Sequence, residues 1–262
     1  MMLNLTGKRA LVCGSTQGIG KASAIQLANL GASITLIARN EDSLKATLKE
    51  LSANAGQKHD YIVADFDKSE TVKVNIEKYL ANGIEFHILI NNTGGPSGGE
   101  ITLAKPEEFL NTFQRHLVCN HIITQLLIPG MKKNKYGRII NIISTSIKEP
   151  IRGLGVSNTI RAAVANWSKT MSFELGPFGI TVNNVLPGAT ETARITDIVT
   201  NTSKKTGKSE DQVKADMLSK IPAGRFAKPE EIAYAVAFLA SAEASYINGT
   251  NMPVDGGRMG CL

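Results

Sequence analysis

A doubly wound α/β architecture, one parallel sheet with helices on both faces, is the fold class predicted by this 262-residue chain. Three observations predict it. Short, nearly continuous apolar runs recur along the whole length, as expected for strands buried on both faces. Segments with helical spacing alternate with them. No Pro/Ser-rich linker and no internal repeat divides the sequence, so residues 1–262 read as one domain.

The elements follow in order. RALVCG (9–14) precedes helical spacing over 19–30, and SITLIA (33–38) precedes 41–54. YIVADF (61–66) leads to 68–82, and FHILINN (86–92) to 107–128. RIINIIS (138–144) leads to 158–175. ITVNNVLP (180–187) is followed, after an interruption, by 229–240, and TNMPVDGG (250–257) closes the series. The interruption, 193–224, is polar and lysine-rich and has no strand-like run. It reads as a helical lid inserted over the site.

Composition narrows the function. The chain is 42% hydrophobic and 20% charged, as in an ordinary globular protein. No apolar run approaches the ~20 residues that cross a bilayer, and the N-terminus, MMLNLTGKRALVCG, has no signal-peptide pattern. Cys13, Cys119 and Cys261 form neither a metal spacing nor a disulfide framework, so no metal and a cytoplasmic location are expected. The net charge of +6 comes with clusters at Lys132, Lys133, Lys135 and Arg138 and at Lys204, Lys205 and Lys208. Aromatics are not interleaved with them, so they read as a solvated basic face or as attraction for an anionic substrate or cofactor, not as a nucleic-acid surface.

The sharpest local signal is GSTQGIG (14–20), which leaves the first strand and opens the first helix. Gly14, Gly18 and Gly20 permit a tight turn and let backbone N–H groups approach a diphosphate at the helix N-terminus, with Ser15, Gln17 and Ile19 completing the turn. The second strand ends LIARN. Arg39 stands near where a binder of the non-phosphorylated dinucleotide carries an acid. A guanidinium suits a 2′-phosphate, so NADP (NADPH) is the expected cofactor and NAD the alternative. A solvated charge is the plain reading of Arg39. Asp65 and Phe66 end the third strand, where Asp65 could meet an adenine amino group or cap the next helix. Asn92 and Gly94, in NNTGG (91–95), end the fourth strand on the ligand-binding edge.

Together these motifs resemble the short-chain dehydrogenase/reductase family, over essentially the whole chain. Residues 13–20 match its glycine motif, with Cys13 for the usual threonine, and Asn91-Asn92-Thr93-Gly94 matches its N-N-A-G. Pro187, Gly188 and Thr192 match P-G-x-x-x-T, which in the family holds the nicotinamide end. ELGPFGITVNNVLPGATET and the segment IPAGRFAKPEEIAYAVAFLASAEASYINGTNMPVDGG resemble the 3-oxoacyl-(acyl carrier protein) reductase branch. The resemblance implies a seven-stranded Rossmann sheet, a nicotinamide cofactor and a homotetramer with contacts through the tail VDGGRMGCL. A carbonyl or alcohol substrate is implied too, and an acyl carrier protein is one partner to consider.

The catalytic positions depart from that family. Its serine falls at Ser144. Its tyrosine position holds Ser157, its lysine position Arg161 and its asparagine position His116. A serine hydroxyl cannot be tuned toward neutrality as a tyrosine can, and arginine does not relay protons. Losing a general acid costs roughly 10²–10⁴ in rate, whereas positioning alone supplies ~7–11 kcal/mol. A slow or rerouted oxidoreductase is therefore expected. Ser144 and Ser157 would hold the substrate oxygen, Arg161 would stabilise its charge and also hold cofactor ribose hydroxyls, and His116 would donate the proton near neutrality. Lys148 and Glu149 are fallback donors. A packed helix histidine is the plain reading of His116. The rival function is a nucleotide-binding pseudoenzyme, a redox sensor or assembly partner. Phe113, Leu154 and Trp167 could shape a pocket, although Trp167 reads as core.

Overall fold

The computed structural model of the protein describes residues 3–261. Its seven strands are β1 (Arg9–Cys13), β2 (Ser33–Ala38), β3 (Asp60–Val63), β4 (Ile88–Asn91), β5 (Gly137–Ile142), β6 (Ile180–Pro187) and β7 (Asn251–Val254). They form one sheet in the order β3-β2-β1-β4-β5-β6-β7, and every pairing is parallel. The strand order reverses between β1 and β4, the point at which such sheets open a crevice at their carboxyl edge.

Burial explains the apolar runs. Strands β4, β5 and β6 are buried along their full length. Helices α1 (Gly18–Asn29) and α9 (Pro229–Ala240) pack together on one face, around Leu27, Ile34, Ile90, Val185 and Val236. Helices α3 (Ser69–Leu80) and α5 (Cys119–Lys133) cover the other, around Ile37, Ile76, Phe86, Leu127 and Ile139. Helix α6 (Gly155–Leu175) lies against β6. Trp167 packs among these buried side chains with its indole N–H donated to His121 Nδ1 at 3.3 Å.

Several boundaries differ from the sequence reading. The helix expected over 41–54 is α2 (Glu41–Leu48), capped by Asn40, whose side chain accepts from the Ser43 N–H at 2.8 Å. The helix expected over 107–128 is α4 (Pro106–Phe113), a π-helical turn over Gln114–Val118, and α5, which continues past Pro129. Such turns concentrate at functional sites, and this one holds His116. The last strand is shorter than its apolar run, because Gly256 and Gly257 follow with φ of 65° and 84°. The 193–224 interruption holds two helices, α7 (Ala193–Thr206) and α8 (Glu210–Leu218). Gly207, at φ 71°, ends the first, and Ser209 with Gln212 forms a capping box on the second.

One polar feature crosses the dry interior. Asn91, Asn141, Asn184 and Asn251 are register partners on β4, β5, β6 and β7. Asn91 Nδ2 donates to Asn141 Oδ1 at 2.9 Å, Asn141 Nδ2 to Asn184 Oδ1 at 2.9 Å, and Asn184 Nδ2 to Asn251 Oδ1 at 2.8 Å.

Candidate active site

The glycine turn sits at the β1/β4 switch point. Gly14 and Gly18 have φ of 57° and 53°, conformations that side-chain-bearing residues rarely adopt. A Cβ on Gly20 would lie 2.1 Å from the Gly14 carbonyl oxygen, so only glycine lets α1 start this close to the strand. Asn92 ties the crevice together, its amide donating to the Cys13 and Gly14 carbonyls at 3.2 Å each. From the far side Thr192 closes on the turn, its methyl 3.0 Å from where a Gly18 Cβ would stand. Pro187 ends β6, and Gly188 passes so near Asp255 that a Cβ would come within 2.7 Å of its Cα. Backbone N–H groups, a helix N-terminus and a cradle that any Cβ would fill match the needs of a dinucleotide diphosphate.

Not every residue expected in the crevice faces it. Ser15 is fully buried and its hydroxyl lies 3.5 Å from the Ile37 carbonyl, so it braces the turn. Phe66 is buried in the core, which leaves only its backbone for a ligand. Ile19 also leans on the core, whereas Gln17 is exposed at the head of α1. Gly94 is exposed with nothing near its missing side chain. Beyond the ends of β2 and β3 opens a cavity of about 550 Å³, whose lining includes Arg39, Asn40, Asp65 and Lys68. Asp65 lines it and accepts the Asp67 N–H at 3.1 Å in the turn before α3, whose N-cap is Lys68 without a side-chain cap, so the helix-capping reading is corrected. Lys68 escaped the sequence reading because no motif marks it; it places a second cation beside Arg39.

The altered catalytic positions converge at the ends of β4 and β5. Ser144 follows β5 and accepts the Ser146 N–H at 3.1 Å. Ser157 and Arg161, one turn apart on α6, are bonded to each other, with Arg161 Nε donating to Ser157 Oγ at 3.2 Å. Arg161 Nη1 also donates to the Ile142 and Ile143 carbonyls at 3.1 and 2.8 Å, which pins the guanidinium to the edge of β5. Burial, then the nearby Arg194, lowers its pKa to about 10, which leaves it charged at neutral pH. His116 Nδ1 lies 2.8 Å from Thr93 Oγ1, while Nε2 is buried without a partner. Two departures from the family pattern, Thr93 and His116, are thus bonded to each other, as are two more, Ser157 and Arg161.

The expectation that His116 titrates near neutrality is corrected. The imidazole is 5% exposed; burial, then the charge of Arg161, hold its pKa well below the usual value. Lys148, Glu149 and Phe113 lie on the exposed surface. Leu154 precedes α6, half-buried. The basic cluster assigned to Lys132, Lys133, Lys135 and Arg138 is not a continuous face. Arg138 is buried and donates to the Ser241, Gly137 and Gly179 carbonyls. Lys133 pairs with Glu85, and Lys132 sits over the Phe178 ring.

A glycine turn at the switch point, with a polar cluster beside it, makes this a dinucleotide-binding α/β protein of the oxidoreductase type. Residues 14–258 match the family described as enoyl-(acyl carrier protein) reductase. The chain is 35% identical over 253 residues to 3-oxoacyl-[acyl-carrier-protein] reductase FabG of Haemophilus influenzae, covering 97% of this chain and 98% of that protein. It is 33% identical over 256 residues to the NADPH-dependent reductase BacG of Bacillus subtilis, covering 97% and 99%. Among solved structures, L-sorbose reductase from Gluconobacter frateurii complexed with NADPH and L-sorbose matches with a TM-score of 0.93 at 30% identity, over the full length of both chains. YwfH, an NADPH-dependent reductase involved in bacilysin biosynthesis, matches with a TM-score of 0.91 at 32% identity, covering 97% of this chain and 99% of that one. The chain belongs to the short-chain dehydrogenase/reductase family, as its motifs imply. No helix among the described residues is long and apolar enough to cross a membrane.

Proposed function

We propose that this protein is an NADPH-dependent oxidoreductase interconverting a carbonyl and an alcohol through Ser144, Ser157, Arg161 and His116. The observation that carries the reading is the mutual bonding of the replacements. Arg161 is held by Ser157 at 3.2 Å and His116 by Thr93 at 2.8 Å. Random loss of a catalytic set does not install partners for the new residues. NADPH, on which the Bacillus subtilis reductase depends and with which L-sorbose reductase is complexed, would contribute the hydride. It would be gripped by the Gly14–Gly20 turn, Asn92, Pro187, Gly188 and Thr192. Arg39 and Lys68 supply the charge that a 2′-phosphate needs.

The chain's residues then divide the remaining work. Ser144 and Ser157 orient the carbonyl oxygen by hydrogen bonds. Arg161, already fixed to β5, stabilises the negative charge that develops there without reorganising. With Thr93 donating to Nδ1, His116 Nε2 carries the proton and acts as a neutral hydrogen-bond donor, and the proton that completes the alcohol comes from solvent. The substrate is a small carbonyl compound, with a 3-oxoacyl thioester the first to test. Helices α7 and α8 serve as the lid. The exposed Leu103, Leu110 and Phe173, on and around α4 and α6, supply apolar surface for further copies of the chain, consistent with a homotetramer. A cytoplasmic location is part of the same reading.

One observation favours the pseudoenzyme alternative: His116 is held neutral and Arg161 charged, so neither supplies a proton near neutrality. Absorbance at 340 nm with NADPH and short 3-oxoacyl thioesters, ketones and oxo acids separates the two. Turnover supports the oxidoreductase. Enhanced NADPH fluorescence with no turnover across the panel supports the cofactor-binding scaffold.

A further inference from the structure

We propose that Arg194 and Arg161 form a paired guanidinium clamp for the carboxylate of an acidic carbonyl substrate, so that a free oxo acid is preferred over an ester or thioester. This rests on the oxidoreductase reading for its chemistry, though not for its binding test. Arg194 opens α7, two residues beyond Thr192. Its Nη2 donates to the Pro96 carbonyl at 2.6 Å, which draws the lid helix onto the loop after β4. The two guanidinium groups meet at Gly95. From the point where a Gly95 Cβ would stand, Arg161 Nη2 is 3.5 Å away and Arg194 Nη2 is 3.6 Å away. A larger side chain there would fill the space between them.

Among the described residues no carboxylate lies within ion-pairing distance of Arg161 or Arg194, whereas Arg115 donates to Asp67 at 2.7 Å. Each is partly desolvated, and burial lowers the pKa of both. Asp197, on the next turn of α7, offsets this only in part for Arg194. Two converging, partly buried like charges disfavour each other until an anion joins them. Arg161 Nη2 is the nitrogen of that group not committed to Ser157, Ile142 or Ile143. One carboxylate, with an oxygen for each guanidinium, can accept from both. The unpartnered, buried Nε2 of His116 lies close enough to Arg161 to feel its charge, so an uncharged donor is available for a second polar group.

Cofactor diphosphate is the competing anion. The geometry places it elsewhere, over the Gly14–Gly20 turn at the head of α1, whereas the arginine pair meets at Gly95 beside Ser157. In the reaction, hydride from NADPH adds to the carbonyl carbon and a solvent proton to its oxygen, giving a hydroxy acid and NADP⁺. The carboxylate is unchanged.

Binding to the enzyme–NADP⁺ complex, which cannot reduce a ketone, tests the clamp without requiring turnover. The probes are 2-oxobutanoate and 3-oxobutanoate, each beside its methyl ester, measured by calorimetry. At least one acid is expected to bind the wild-type complex more tightly than its ester. R194Q, shorter and neutral, should weaken that acid about 10- to 100-fold, the range for a lost charge-assisted hydrogen bond. It should leave the NADPH dissociation constant within twofold. R194K keeps the charge but loses the fork and should fall between, which also serves if R194Q does not fold. Equal or absent binding of acids and esters overturns the proposal, as does R194Q weakening NADPH as much as the acid. If acids bind as predicted but no carbonyl turns over, the clamp stands and the oxidoreductase reading fails.

Discussion

Replacing Gly20 by alanine tests whether the crevice at the head of α1 is what holds the cofactor. The added Cβ would stand 2.1 Å from the Gly14 carbonyl oxygen and 2.6 Å from Asn92 Nδ2. The first contact is more than an ångström inside van der Waals distance, and it is made to backbone that cannot rotate away. Overpacking of this kind costs ~1–3 kcal/mol. Because Gly20 lies in the first turn of α1, alanine returns up to ~1 kcal/mol of helix propensity. With the full return the net is a loss of up to about 2 kcal/mol, or up to roughly 8 °C in Tm for a chain of this size. Cofactor binding should suffer more. Displacing Asn92 sacrifices its bonds to Cys13 and Gly14, each worth ~1 kcal/mol, and moves the N–H groups meant for the diphosphate. NADPH affinity should fall at least ~10- to 100-fold, read by its fluorescence enhancement. G94A is the counterpart, because its Cβ meets nothing within 4 Å of the protein. It should keep the wild-type Tm while weakening NADPH. If G20A binds NADPH within twofold of wild type, the turn is not the cradle.

Three further outcomes follow. His116 is held neutral in the fold and protonates only on unfolding, so its contribution to stability is full above pH ~6.5 and is lost as pH falls below that. H116N should shrink the drop in Tm between pH 7 and pH 5, and an unchanged drop would refute the buried-neutral assignment. Burial raises the thiol pKa of Cys13, and pushes that of Cys119 up to about 12, while Cys261 is exposed. A disulfide reagent should therefore titrate one thiol in the native protein and three after denaturation. N141L removes the amide that bonds Asn91, Asn184 and Ser168 and strands their polar groups, each at ~1–3 kcal/mol. Its Tm should fall by ~6 °C or more, and a drop below 2 °C would show that the interior tolerates the unpaired groups.

Much of this was legible in the sequence, and for identifiable reasons. Strands buried on both faces announce themselves as apolar runs, and the glycine turn is local, so RALVCG and GSTQGIG fixed the first strand, the first helix and the cofactor edge. The exchange of tyrosine and lysine for Ser157 and Arg161 was visible because α6 carries them one turn apart. What escaped depends on tertiary approach. Nothing in the spacing says that His116 lies in a π-helical turn and is dry enough to stay neutral. Thr93 stood in plain view as a change within N-N-T-G, but its partner is 23 positions away. Arg194 sat inside a stretch read as lid, and only the folded loop brings it opposite Arg161. Arg138 shows the reverse error, since a cation that looked solvent-facing beside three lysines is buried against backbone carbonyls.

The asparagine row across β4, β5, β6 and β7 works as an address code. Slipping any of these strands by one residue would set an amide opposite an aliphatic neighbour such as Ile140 or Val185 and leave its hydrogen-bonding groups stranded. Apolar strands alone would tolerate such a slip, because one buried branched side chain resembles the next. The row also has a single sense of travel, with Asn91, Asn141 and Asn184 each handing an N–H toward β7, so no member can flip without disrupting its neighbours. Its first member adjoins Asn92, the clamp on the glycine turn. The mark that aligns half the sheet therefore also sets the level at which the cofactor crevice opens.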